Sequence, residues 1–258
     1  MPLPALVAVA AIFGLLWGSF AGVLVDRVPT GGDVVRGRSR CDACGAVLGA
    51  RDLVPVVSWL LLRGRCRRCG AIVPSRWTRI EITCGALFAL VAGSLREPWL
   101  IALLGPFSAI LVALTLIDLE HHRLPNAIVY PSFVVATCAI LVAWATGGPL
   151  DPSAAAVGAL AYGGVLLVIA VVSRGGMGIG DVKLAALIGL VIGAVDLPSV
   201  GVAAAAGILF GGLAGIVALA RGADRRSALP FGPMLAAGAV VAMLVGPKLA
   251  DAYLGLFS

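Results

Sequence analysis

The chain has 258 residues, of which 60% are apolar and only 12% charged, against about 25% charged in an ordinary soluble domain. Its formal net charge is +6. Apolar runs recur along most of the length, which excludes a water-soluble globular domain, and they are continuous rather than alternating, which excludes a lipid-facing barrel.

A hydrocarbon core about 30 Å thick needs roughly 20 apolar residues per helix. The sequence therefore predicts an all-α polytopic membrane protein with about eight transmembrane helices, over residues 4–25, 80–95, 99–117, 127–145, 153–173, 182–195, 199–220 and 231–257. The division it suggests is helix 1 (1–25), a polar cytoplasmic loop (26–79) and a seven-helix catalytic domain (80–258).

The first span reads as a permanent helix. No Lys or Arg precedes Arg27, so the basic n-region of a cleaved signal is missing, and the apolar stretch exceeds a typical h-region. Gly14, Gly18 and Gly22 recur one turn apart, as do Gly207, Gly211 and Gly215 in the seventh span. Small residues at this spacing let helix backbones approach in lipid. They predict packing within the bundle, with a homodimer face as the alternative. Cys84 and Cys138 fall in apolar spans and read as packing residues. No internal repeat or low-complexity linker stands out. Gly147-Gly148-Pro149 and Leu197-Pro198 read as outer turns.

The loop 26–79 holds eleven of the nineteen basic residues. Placing it in the cytoplasm puts Arg123, Arg174, Lys183, Arg221, Arg225 and Arg226 on the same side, leaving only Arg96 and Lys248 opposite. By the positive-inside rule both termini then lie outside and the membrane is the inner one. The positive charge is thus a topology signal before it is a nucleic-acid footprint, and no nucleic-acid partner is expected.

Within this loop Cys41 and Cys44 form one CxxC pair and Cys66 and Cys69 another. Two such pairs read as a four-thiolate zinc site. With no open coordination position the metal is structural, supplying folding energy that a loop of this size cannot draw from a core. The following Gly45 and Gly70 permit tight turns, and Arg63, Arg65, Arg67 and Arg68 lie close enough in sequence to offset the negative cluster. Cytoplasmic placement argues against disulfides.

Charges within apolar spans mark function. Asp118 closes the third span in Leu116-Ile117-Asp118-Leu119-Glu120-His121-His122, and Asp181 opens the short sixth span after Gly178-Ile179-Gly180. Under the topology above both carboxylates face the cytoplasm. Two such groups across a water share one proton: the acid polarises a peptide carbonyl and the base activates the water. Gly178 and Gly180 leave backbone room for a substrate strand. Asp181 as a helix N-cap and Asp118 as an ordinary interfacial residue are the plainer alternatives. His121, His122 and Glu120 read as solvated, Lys183 as a contact to lipid phosphate or substrate, and Glu81 as a partner for a loop arginine. A transporter using the aspartates as a proton relay and a zinc-loop scaffold are the rival classes.

The motifs together resemble the bacterial prepilin peptidases, the type IV leader peptidases, from Gly18 to about Gly238. Gly18-Ser19-Phe20 with Arg27-Val28-Pro29 resembles the opening signature, with Gly22 where asparagine is usual. The two CxxC pairs, Pro55-Val56-Val57-Ser58-Trp59 and Glu81 resemble the zinc-binding region, with Asp42 and Thr78 where prolines are usual. Asp118 with Leu124-Pro125-Asn126 matches the first catalytic motif, Gly178-Ile179-Gly180-Asp181-Val182-Lys183 the second, and Leu229-Pro230-Phe231-Gly232-Pro233 a late turn. The resemblance implies an aspartic peptidase, with Asp118 and Asp181 catalytic. It would cut the basic leader of a prepilin or pseudopilin after glycine, at the cytoplasmic face. It also implies N-methylation of the new terminus with S-adenosylmethionine as donor, or a peptidase without that second activity.

Overall fold

The computed structural model describes residues 1–173, 177–222 and 230–255. Arg174, Arg225 and Arg226 of the predicted cytoplasmic loops, Leu229 of the late turn and the end of the predicted last span lie outside the described residues.

The described residues form helices and no strand, with only two isolated β-bridges. In order they are α1 (Leu3–Arg27), α2 (Val57–Leu61), α3 (Arg76–Leu95), α4 (Pro98–His121), α5 (Asn126–Ala145), α6 (Pro152–Val172), α7 (Ile179–Val195), α8 (Pro198–Ala220) and α9 (Gly232–Leu254), with a 3₁₀ turn at Ala50–Asp52. Seven of them, all but α2 and α7, are long and apolar enough to cross a membrane. This is a multi-pass membrane protein.

Helix ends depart from the apolar runs in two informative places. α3 begins at Arg76, inside the stretch read as loop, because backbone hydrogen bonds continue into its polar first turn. α7 begins at Ile179 rather than residue 182, so its 17 residues include Asp181. At about 1.5 Å per residue it spans about 25 Å, less than the ~30 Å core. Prolines interrupt α4 (Pro106), α5 (Pro131) and α9 (Pro247). Such breaks are tolerated in bundles where neighbours re-satisfy the freed carbonyls.

Three helix pairs share the closest seams: α1 with α3, α6 with α7, and α8 with α9. Each is built on glycine. A Cβ on Gly14 would lie 2.6 Å from the Cys84 carbonyl oxygen. Gly158 and Gly189 meet backbone to backbone, and Gly238 rests on Ala203 and Gly207. Lipid offers no hydrophobic drive for helix association, so backbone approach and dispersion carry it. α4 and α7 form the buried centre, whereas α8 presents Ile208, Leu209, Leu213 and Ile216 outward, a face suited to acyl chains. Of the sequence's glycine rows, Gly14, Gly18 and Gly22 all meet α3, Gly207 and Gly211 meet the start of α9, and Gly215 faces open space. Cys84 is buried as expected, but Cys138 is exposed on α5.

Candidate functional site

Asp118 lies in the last turn of α4 and Asp181 in the first turn of α7. Both line one cavity of about 920 Å³. Its wall also includes Val28 and Pro29 at the end of α1, the 122–126 connection, and Gly178 to Gly180. The cavity therefore borders the point where the cysteine-bearing segment leaves α1.

Asp118 is buried and Asp181 half-buried. The Oδ2 of Asp118 accepts a 3.1 Å hydrogen bond from the Gly232 N–H, 114 residues away. Gly178, in extended backbone, occupies the N-cap of α7. Asp181 is three residues further on and turns back, with its Oδ2 3.4 Å from where a Gly178 Cβ would stand. This corrects the alternative in which Asp181 itself is the N-cap. A Cβ on Gly180 would meet the Leu124 Cβ at 3.1 Å, so this glycine admits the 122–125 connection against α7.

The neighbours have partners the sequence did not show. Glu120, read as solvated, has its Oε1 2.6 Å from Arg76 Nη2. Lys183 donates from Nζ to Asn126 Oδ1 at 3.0 Å and lies 5.1 Å from the Tyr130 ring centroid. His121 and His122 line the cavity mouth and are exposed, as expected. The His122 N–H caps α4 by donating to the Asp118 carbonyl at 2.9 Å. Glu81 meets no loop arginine: its Oε2 accepts from the Val56 N–H at 2.7 Å.

The thiols of Cys41, Cys44, Cys66 and Cys69 all lie within 4.8 Å of one another, an arrangement that could hold a metal ion. Tetrahedral zinc with bonds of about 2.3 Å separates its sulfurs by about 3.8 Å, and Cys41 and Cys69 stand 3.9 Å apart. The donor set thus fits zinc. Two turns of the same build present them. Cys41 N–H donates to Ala46 and Gly45 N–H to Cys41, at 2.9 and 2.8 Å; Cys66 to Ala71 and Gly70 to Cys66 repeat this at 2.8 and 2.9 Å. Gly45 and Gly70 take φ of +67° and +72°, a region that favours glycine. The Cys69 and Arg68 backbone N–H groups aimed at Cys66 bring its thiol down to about 6, while the crowding of the Cys44, Cys66 and Cys41 thiols pushes Cys69 up to about 11, so the four ionise as one cluster and not independently. Among the nearby arginines, Arg67 pairs with Asp52 at 2.7 Å, tying the second turn to the 3₁₀ segment.

Two features were missed in the sequence. The turns are a true internal repeat: Arg40-Cys41-x-x-Cys44-Gly45-Ala46-Val47 matches Arg65-Cys66-x-x-Cys69-Gly70-Ala71-Ile72. Each ends in an antiparallel bridge, Arg40 to Val47 and Arg65 to Ile72. That signal was present, but each copy is a short turn that occurs only twice, where repeat architectures need three or more units. The second is the Gly232 contact, for which local sequence gives no signal.

The model of the bacterial peptidase A24 N-terminal domain matches residues 12–95, and that of the type IV leader peptidase family matches residues 106–220. A prepilin leader peptidase/N-methyltransferase of Bacillus subtilis (strain 168) is 32% identical, over 96% of this chain and 98% of its own. One of that name from Burkholderia pseudomallei (strain 1026b) is 34% identical over 93% and 85%. A type 4 prepilin-like proteins leader peptide-processing enzyme of Escherichia coli O78:H11 is 31% identical over 92% and 93%. No solved structure matches. Similarity of this extent, end to end, over a helical bundle that gathers both motif aspartates at one cavity, means that the chain belongs to the type IV leader peptidase family.

Proposed function

We propose that this protein is a prepilin leader peptidase that cuts the basic leader of type IV prepilins or pseudopilins after glycine, with Asp118 and Asp181 as its catalytic pair. The observation that carries the reading is the shared cavity: carboxylates from the end of α4 and the start of α7 line one space, at one end of the bundle. In this reading the two acids share one proton. The unprotonated carboxylate takes a proton from water as its oxygen attacks the scissile carbonyl carbon. The protonated carboxyl gives its proton to the carbonyl oxygen. Collapse of the tetrahedral intermediate returns that proton to the second acid and breaks the C–N bond, while the first acid passes the proton it took from water to the leaving amine.

Around this pair the fold divides as helix 1 (1–25), a zinc-holding cytoplasmic loop (26–79) and a seven-helix catalytic domain (80–258), with α7 counted as the eighth span. Gly178 and Gly180 shape the second motif and Lys183, held by Asn126, lies at the cavity edge. Cys41, Cys44, Cys66 and Cys69 hold structural zinc. The enzyme sits in the inner membrane with the cavity toward the cytoplasm and both termini outside, as the arginine placement supports. The names of the relatives support a second activity, methylation of the new amino terminus. S-adenosylmethionine would supply the methyl group, and no residue of this chain is assigned to hold it.

Co-expression with a prepilin tests the reading. Asp118→Asn and Asp181→Asn are expected to keep the fold and lose about 10²–10⁴-fold or more in cleavage. Wild-type leader removal by either variant would end the proposal. In the same cells, the mass of the processed terminus reads out methylation, and a reporter active only outside the inner membrane, fused to either terminus, reads out topology.

A further inference from the structure

α9 begins as α1 and α5 do, with two N–H groups sharing the carbonyl of the residue before the helix. The Met234 and Leu235 N–H groups both donate to the Phe231 carbonyl, at 3.0 and 3.1 Å, and Pro233 has no N–H to offer. The Gly232 N–H is the first-turn donor without an intrahelical acceptor, and it points at Asp118 Oδ2. Asp118 needs such a partner. It sits in the final turn of α4, where its own helix presents its negative end, whereas Asp181 sits in the first turn of α7, at a positive end. The N-terminus of α9 gives Asp118 the environment that α7 gives Asp181.

The contact leaves no room for a side chain. A Cβ on Gly232 would stand 2.6 Å from Asp118 Oδ2 and 3.2 Å from its Cγ. The segment cannot retreat freely, because Phe231 is seated in a notch on α8 where a Gly211 Cβ would come within 2.6 Å of its ring. A methyl at 232 would therefore be relieved mainly by swinging the carboxylate, which is the flexible partner.

We propose that Gly232 is a positioning residue for the peptidase reaction: its N–H and its missing side chain together fix the Asp118 carboxylate at the cavity. This rests on Asp118 being catalytic, as proposed above. The late turn Pro230-Phe231-Gly232-Pro233 is then a brace for one acid of the pair, although the two are far apart in sequence.

The test uses the full-length enzyme in detergent or liposomes with a prepilin substrate. Gly232→Ala is expected to lower kcat about 10²-fold, the cost of roughly 1 Å misplacement, with KM unchanged and the unfolding midpoint lowered no further than in the control below. Gly246→Ala is the control on the same helix, with its Cβ 2.5 Å from Ser199 Oγ and away from the aspartates. It is expected to lower the midpoint and leave kcat alone. Should Gly232→Ala fail to fold, glycolic acid incorporated at position 232 removes the N–H with no added atom, and is expected to lower kcat about ten- to hundredfold. Wild-type kcat in the folded Gly232→Ala protein, or in the glycolate protein, overturns the proposal. An Asp118→Asn variant assayed alongside separates the two failures. If it still cleaves, the catalytic pair falls and the brace with it; if it is dead while the position 232 variants cleave normally, only the brace falls.

Discussion

Glu81 shows how one side chain can join a soluble loop to a membrane helix. Its carboxylate accepts the Val56 N–H at 2.7 Å, and Val56 adopts φ of +61°, a conformation that β-branched residues resist. The hydrogen bond is what offsets that strain at the entrance to α2. Glu81→Ala leaves a half-buried donor unsatisfied and is expected to cost about 1–3 kcal/mol, read as a lower unfolding midpoint and faster proteolysis within residues 53–62. Glu81→Gln keeps an acceptor and is expected to lose much less. Equal loss in both would mean that charge, not the hydrogen bond, does the work. An arginine is the partner that sequence suggests for Glu81, because both lie at the membrane edge. Proximity in sequence offers a choice of partners, and only the folded loop decides that a backbone amide gets there first.

At the scale of the element, glycine position decides which helices meet. A Cβ on Gly18 would stand 2.5 Å from the Glu81 Cα, so Gly18→Ala must force α1 and α3 apart, at an expected cost of about 1–3 kcal/mol. Gly215, in the other glycine row, has no neighbour within 4 Å. Gly215→Ala is expected to be neutral or stabilising by up to about 1 kcal/mol through helix propensity. Thermal unfolding of the two purified variants checks both, and similar midpoints would show that the α1–α3 seam yields more easily than its backbone contact implies. In sequence the two rows look alike. Their difference lies in the rotation of each helix about its axis, which the packing of neighbours sets.

For the whole molecule, the cysteine cluster and the bundle are expected to be separable in their energetics. The two knuckles are held by short local hydrogen bonds and by sulfur geometry, and the loop contributes little to the buried core. Chelation of the zinc proposed at the four cysteines, or Cys66→Ser, is expected to leave helix content nearly intact by circular dichroism while exposing residues 40–72 to protease. Collapse of the helices on chelation would show instead that the loop is part of the bundle's fold.

Much of this protein is legible in its amino-acid sequence, for a simple reason. Composition and the recurrence of apolar runs follow from the solvent, and lipid admits few solutions, so helices of bilayer length can be read directly. The CxxC pairs and the motif aspartates are legible because their chemistry is carried by residue type and short spacing. Tertiary structure alone decided the rest: that α7 starts early enough to place Asp181 inside its first turn, that Glu120 meets Arg76 and Lys183 meets Asn126, and that the amide of Gly232 reaches Asp118 across 114 residues. Each of these depends on where one helix ends against another, and such contacts arise from three-dimensional packing, which no local pattern of residue types encodes.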